Sequence, residues 1–147
     1  MKKSGLILIL VIFTSLLRVS AAAAHCEIPC GIYDDKLRVE LIAEHATTIE
    51  KSMQKIIALG QAKPVNYNQL IRWVSNKEQH ADEVQEIVTQ YFMTQRIKPN
   101  MAKYTAYLTV LHKMLIAAMK CKQTTDLTQV RALRTLLEDF ERIYFRR

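Results

Sequence analysis

The sequence predicts an all-α protein, an antiparallel up-down bundle of four helices, preceded by a short segment of different character. Three observations lead there. From residue 34 onward, apolar residues recur at helical spacing in four separate stretches. Beyond residue 24 the glycines are Gly31 and Gly60 and the prolines Pro29, Pro64 and Pro99, all in the N-terminal segment or between the periodic stretches. Short breaks between amphipathic helices favour antiparallel neighbours.

The first helix is expected to open at Asp34 or Asp35, whose carboxylates suit the free N–H groups and the positive dipole end. Leu37, Leu41, Ile49, Met53 and Ile56 form its inward stripe, Gly60 is placed just past its end, and Pro64 follows. Asn66 or Asn68 opens the second helix, with Leu70, Val74, Ala81, Val84, Val88 and Tyr91 inward, and it runs out before Pro99. Asn100 opens the third, with Tyr104, Leu108, Leu111, Leu115 and Ala118 on its core face. Thr124-Thr125-Asp126 caps the fourth, which carries Val130, Leu133, Leu137, Phe140 and Tyr144.

Residues 1–24 read as a cleaved secretory leader and not as part of the fold. Lys2 and Lys3 are followed by the uncharged apolar run from Leu6 to Leu17, then by Arg18 and the alanines 21–24. The apolar run is too short for a membrane span, which takes about 20 residues. Cleavage after Ala24 uses Ala22 and Ala24 as the small residues that signal peptidase requires, although cuts after Ala21 or Ala23 have similar composition. A lipoprotein is excluded because the bulky, polar His25 precedes Cys26. The expected product is exported, periplasmic or extracellular, with no membrane attachment. Its organisation is a hook over 25–33 and a bundle over 34–147.

The chain carries a net charge of +7, of which three positive charges, Lys2, Lys3 and Arg18, belong to the leader. The remaining excess of four is spread among acids, with no basic run interleaved with aromatics, so nucleic acid is not an expected partner. A modest positive excess would steer a small anion.

The segment His25-Cys26-Glu27-Ile28-Pro29-Cys30-Gly31-Ile32-Tyr33 has no helical period and needs another reason to be ordered. A Cys26–Cys30 disulfide is one candidate in an oxidising compartment. A metal is the other. Cleavage after Ala24 would free an α-amine on His25 with a pKa of about 8. That amine, the Cys26 amide nitrogen and the Cys26 thiolate can close two fused five-membered chelate rings. The turn through Pro29 and Gly31 can return Cys30 to the fourth corner, and Pro29 limits the entropy lost on closure. A planar set of two nitrogens and two sulfurs suits Ni(II) or Cu(II) better than tetrahedral zinc. The His25 imidazole can approach from the axial direction. Bundle di-iron chemistry is excluded, because His45, His80 and His112 are preceded at the third position by Ile42, Lys77 and Thr109, not glutamate.

This nine-residue segment resembles the N-terminal nickel hook of the nickel-dependent superoxide dismutase family, with a helical bundle following it. The resemblance implies superoxide disproportionation by Ni(III)/Ni(II) cycling, with nickel held by the His25 amine and imidazole, the Cys26 amide and thiolate, and the Cys30 thiolate. It places Tyr33 at the open axial face, with Tyr91 of the Tyr91-Phe92 pair nearby. Pro29 and Glu27 shape the hook, Glu27 standing where aspartate is frequent. Lys98 of Lys98-Pro99 matches a charge-steering lysine, with an insertion between it and Tyr91-Phe92. Glu40 matches a glutamate that hydrogen-bonds the axial histidine, and His80 stands where some members carry its arginine partner. Family members assemble as hexamers, so a homohexamer is implied; the leader makes signal peptidase the expected maturation partner, a departure from members that mature in the cytosol by a dedicated protease. Without the resemblance, His45, His80 and His112 are ordinary bundle histidines, Cys121 is a packed thiol, and Trp73 packs in the bundle or at a subunit contact.

Overall fold

A computed structural model of the protein describes residues 28–145; His25, Cys26, Glu27 and the leader lie outside the described residues. Among the described residues there are four helices and no strand. They are α1 (Asp35–Gln61), α2 (Tyr67–Glu86), α3 (Tyr104–Gln123) and α4 (Leu127–Phe145), with α2 running directly into a π-helical stretch, Ile87–Arg96. The helices close a ring, α1 on α2, α2 on α3, α3 on α4 and α4 back on α1. This is the expected bundle.

The starts of three helices follow from their caps. Asp34 Oδ1 accepts from the Leu37 amide at 3.0 Å, Asn66 Oδ1 from the Gln69 amide at 3.1 Å, and Asp126 Oδ1 from the Thr128 amide at 2.9 Å. Two boundaries differ from expectation. Asn100 does not open α3: it lies in a turn in which the Met101 amide bonds the Lys98 carbonyl, and the helix begins after Lys103. Gly60 does not follow α1 but lies inside its last turn, and the Ala62 amide closes the end on the Leu59 carbonyl at 3.3 Å.

The core face of α4 is the predicted one, with Val130, Leu133, Leu137 and Phe140 buried. That of α1 is rotated. Val39, Ile42, Ala46, Ile49 and Met53 form the buried stripe, Leu41 is half-buried, and Leu37 is 45% exposed. On α2 and the π-helical stretch that continues it, Ala81, Val84, Val88 and Tyr91 are buried as expected, but Val74 is on the outside. Phe92 anchors one end of the core, its ring centroid 5.0 Å from Tyr91, 4.8 Å from Phe140 and 5.8 Å from Tyr144. Edge-to-face aromatic packing of this kind adds to the burial itself.

Lys77 is a buried charge with a structural task. At 3% exposure its ammonium donates to the Cys121 carbonyl at 2.8 Å and to the Lys122 carbonyl, and pairs with Glu78 at 2.9 Å. It therefore closes the C-terminal end of α3 from the side of α2, where helix carbonyls have no partner of their own. Lys77→Met, which fills the same space without the donor, is expected to lower unfolding free energy by about 2–3 kcal/mol. Urea denaturation measures this. Beneath it Cys121 is fully buried, and burial pushes its thiol up to about 11, so it stays protonated and packed.

Candidate metal centre and its surroundings

Ahead of α1 the chain makes a tight turn, closed by the Ile32 amide on the Pro29 carbonyl at 2.9 Å. Cys30 sits in it at φ 37° and Gly31 at φ 86°. A glycine takes that conformation without penalty, whereas an L-residue such as Cys30 costs about 1–2 kcal/mol there. Nothing lies within 4 Å of where a Cβ on Gly31 would be, so backbone angle and not space requires the glycine. The strained turn holds the Cys30 side chain on the outside of the bundle, where it is exposed. Among the described residues no group of three or more His, Cys, Asp or Glu side chains could hold a metal ion. The donor chemistry of the segment fits a metal: His25 and Cys26 precede Cys30 by five and four residues in the sequence, and with it they offer nitrogen and thiolate ligands.

The turn is tied to the end of α2. Gln95, 8% exposed, donates from Nε2 to the Ile28 carbonyl at 3.1 Å and to the Gln90 carbonyl at 3.0 Å. Tyr33 stands edge-on to Tyr91, with ring centroids 5.9 Å apart, and the Arg96 guanidinium lies 4.2 Å from the Tyr33 ring centre. Arg38 covers the Tyr91 ring at 5.1 Å. The expected pair of tyrosines is thus brought together.

Asp35 is the hub beneath them. Its carboxylate accepts both prongs of the Arg96 fork at 2.8 Å, the Tyr91 hydroxyl at 2.6 Å and the Tyr144 hydroxyl at 2.8 Å. Burial opposes ionisation of Asp35, but the hydrogen bonds from Arg96, Tyr91 and Tyr144 and the arginine charge outweigh it, and its pKa falls below 3.8. Burial and the Asp35 carboxylate push both phenols upward, Tyr144 to about 12, so each remains a protonated donor at neutral pH. The folded pKa of Asp35 lies below the unfolded one. Its contribution to stability is therefore full above about pH 4 and is lost as pH falls through the folded pKa. In urea titrations at pH 6 and pH 3, Asp35→Asn should show a smaller loss of stability on acidification than the unaltered chain.

Beside the turn, between α1 and α2, is an open hollow of about 320 Å³, lined by Ile28, Pro29, Arg38, Leu41, His45, Glu83, Glu86, Ile87, Gln90 and Tyr91. His45 Nδ1 lies 2.8 Å from His80 Nδ1, which requires one ring to donate and the other to accept. Burial, and then the neighbouring His80, push the His45 pKa down, against Glu83 and Glu44. The neutral form of His45 is thereby favoured.

Two sequence-predicted residues stand apart from this cluster. Glu40 is on the outside of α1, with its side chain 60% exposed and 3.7 Å from the Lys36 ammonium. It does not line the hollow; Arg38, Leu41 and His45 of the same helix do. Its expected partner, His25, is outside the described residues. Lys98 is exposed on the turn after the π-helical stretch, its amide 3.3 Å from the Met101 sulfur. Sequence reasoning missed Asp35 as a hub, Arg96, Arg38, Tyr144, and His45 as the partner of His80. Asp35 was legible only as a helix-start residue.

One comparison with known proteins decides the family: the model for nickel-containing superoxide dismutase matches residues 20–147. The chain belongs to that family. Nickel superoxide dismutases are oxidoreductases that convert superoxide to dioxygen and hydrogen peroxide by nickel redox cycling, and this chain is such an enzyme. No curated protein and no solved structure matches it. The match covers residues 25–33 and every helix of the bundle.

Proposed function

We propose that this nickel superoxide dismutase is made as an exported precursor and becomes competent when signal peptidase cuts after Ala24. The new His25 amine and imidazole, the Cys26 amide and thiolate and the Cys30 thiolate then hold one nickel ion per subunit. Support comes from the turn at Cys30. A cysteine is held exposed at an unfavourable φ, four residues after Cys26 and five after His25, the two other proposed ligands. Bound nickel would supply the one-electron couple that superoxide alternately reduces and oxidises.

The chain's own residues do the rest. Pro29 and Gly31 set the turn, and Glu27 precedes Ile28 in the sequence. Tyr33 offers a hydroxyl to orient water or the incoming anion, and Tyr91, committed to Asp35, braces its ring. His45 lines the hollow together with Pro29 and is hydrogen-bonded to His80, which suits the two imidazoles to serve the His25 ring where a glutamate and arginine serve in relatives. Glu40 is a weaker candidate for that contact in view of its exposure. Lys98 adds positive charge at the same end of the bundle and steers the anion.

No helix among the described residues is long and apolar enough to cross a membrane. A homohexamer agrees with the apolar surface around the hook, where Ile28 is 87% and Ile32 84% exposed. Tyr67, Ile71 and Val74 add an outward apolar stripe on α2. Sedimentation of the mature protein tests the hexamer; a monomer at micromolar concentration would contradict it. The metal assignment is tested by loading the mature chain with nickel, copper or zinc in turn. Turnover of superoxide is expected with nickel alone, and equal turnover with copper would overturn the assignment.

A further inference from the structure

We infer that Arg96 is a positioning residue that holds Tyr33 over the hook, and that the π-helical stretch Ile87–Arg96 exists to deliver it. The inference rests on the role proposed above for Tyr33 but concerns a residue that role does not name. In an α-helix, residues five apart point roughly 140° away from each other. Tyr91 and Arg96 are five apart, yet both bond the Asp35 carboxylate. Gln90 and Gln95 are also five apart, and the Gln95 side chain reaches the Gln90 carbonyl. Only the wider winding of i→i+5 bonds, continued by the Ile97 amide on the Phe92 carbonyl at 2.9 Å, puts these residues on one side.

The consequence is a clamp. Gln95 holds the Ile28 carbonyl at the start of the turn, and the flat Arg96 guanidinium covers the Tyr33 ring at its end. Arg96 cannot drift, because its fork is engaged in the plane by Asp35, which leaves its face for the ring. The two ends of the segment from Ile28 to Tyr33, which contains Cys30, are therefore gripped by adjacent residues of one π-helical turn. Arginine is suited to this and lysine is not, since an ammonium pairs with Asp35 but offers no flat surface to stack.

Hydrogen exchange on the mature, metal-free protein gives the first test. Arg96→Gln and Arg96→Lys should both speed exchange of the Ile32 amide by about tenfold, the factor that a partly desolvated cation–π contact is worth. Amides in the middle of α4 should be unchanged in Arg96→Lys, which keeps the ion pair and the fold. Unaltered exchange at Ile32 in Arg96→Lys would overturn the clamp. The second test uses nickel-loaded protein. Arg96→Gln should keep its nickel and lose about tenfold in turnover, but should cause no further loss when Tyr33→Phe is already present. Losses that multiply would show that Arg96 does not act through Tyr33. If Tyr33→Phe alone leaves turnover unchanged, the failure belongs to the role of the tyrosine, and the exchange result still decides the grip.

Discussion

Adding one residue ahead of His25 abolishes superoxide turnover and leaves the helical content of the protein unchanged. The proposed chelate depends on a free amine two bonds from the His25 carbonyl carbon. An amine with a pKa of about 8 gives up its proton near neutrality and binds a metal. Once acylated, the same nitrogen is an amide, which binds a metal only after losing a proton it holds far more tightly, and the amine moves one residue away, so the amine donor of the chelate is lost. Loss of one donor from a four-donor site should weaken metal binding by roughly a hundredfold or more, taking a share of the binding energy typical of such sites. The bundle does not contribute to the loss, because α1 begins ten residues later at Asp35 and is capped by Asp34. Circular dichroism and nickel content, measured beside turnover, separate the two effects.

Cys30→Ser is expected to be as severe. A serine hydroxyl is not ionised near neutrality, and it cannot replace the thiolate that supplies the negative charge on which the higher nickel oxidation state depends. Nickel retention after dialysis should fall below one tenth of that of the unaltered protein, with affinity reduced by roughly two to three orders of magnitude. Stability in urea should change by less than about 1 kcal/mol, because Cys30 is exposed and its side chain buries little. A large loss of stability with nickel retained would contradict the account, since it would make Cys30 a packing residue.

The proposed hook could be read from the sequence because its chemistry is local. His25, Cys26, Pro29, Cys30 and Gly31 fall within seven consecutive residues, and the family resemblance adds Tyr33. The caps Asp34, Asn66 and Asp126 were legible for the same reason, as each bonds an amide two or three residues on. The core face of α1 was not. Leu37 and Leu41 fit a helical stripe as well as Val39 and Ile42 do, and only packing against α2 and α4 selects the second. The Asp35 hub joins residues 56, 61 and 109 positions away, and no periodicity relates them. Nor does composition mark the π-helical stretch, which contains neither glycine nor proline and reads as ordinary helix. The segment between Tyr91-Phe92 and Lys98-Pro99 is an insertion by sequence; in three dimensions it carries Gln95 and Arg96 to the hook.

The most direct measurement is the intact mass and N-terminal residue of the natural, nickel-containing product, taken on the same sample whose turnover is recorded. The account predicts that active protein begins at His25 and carries one nickel per chain. Active, nickel-bearing protein that retains Ala24 or any other residue ahead of His25 would contradict it.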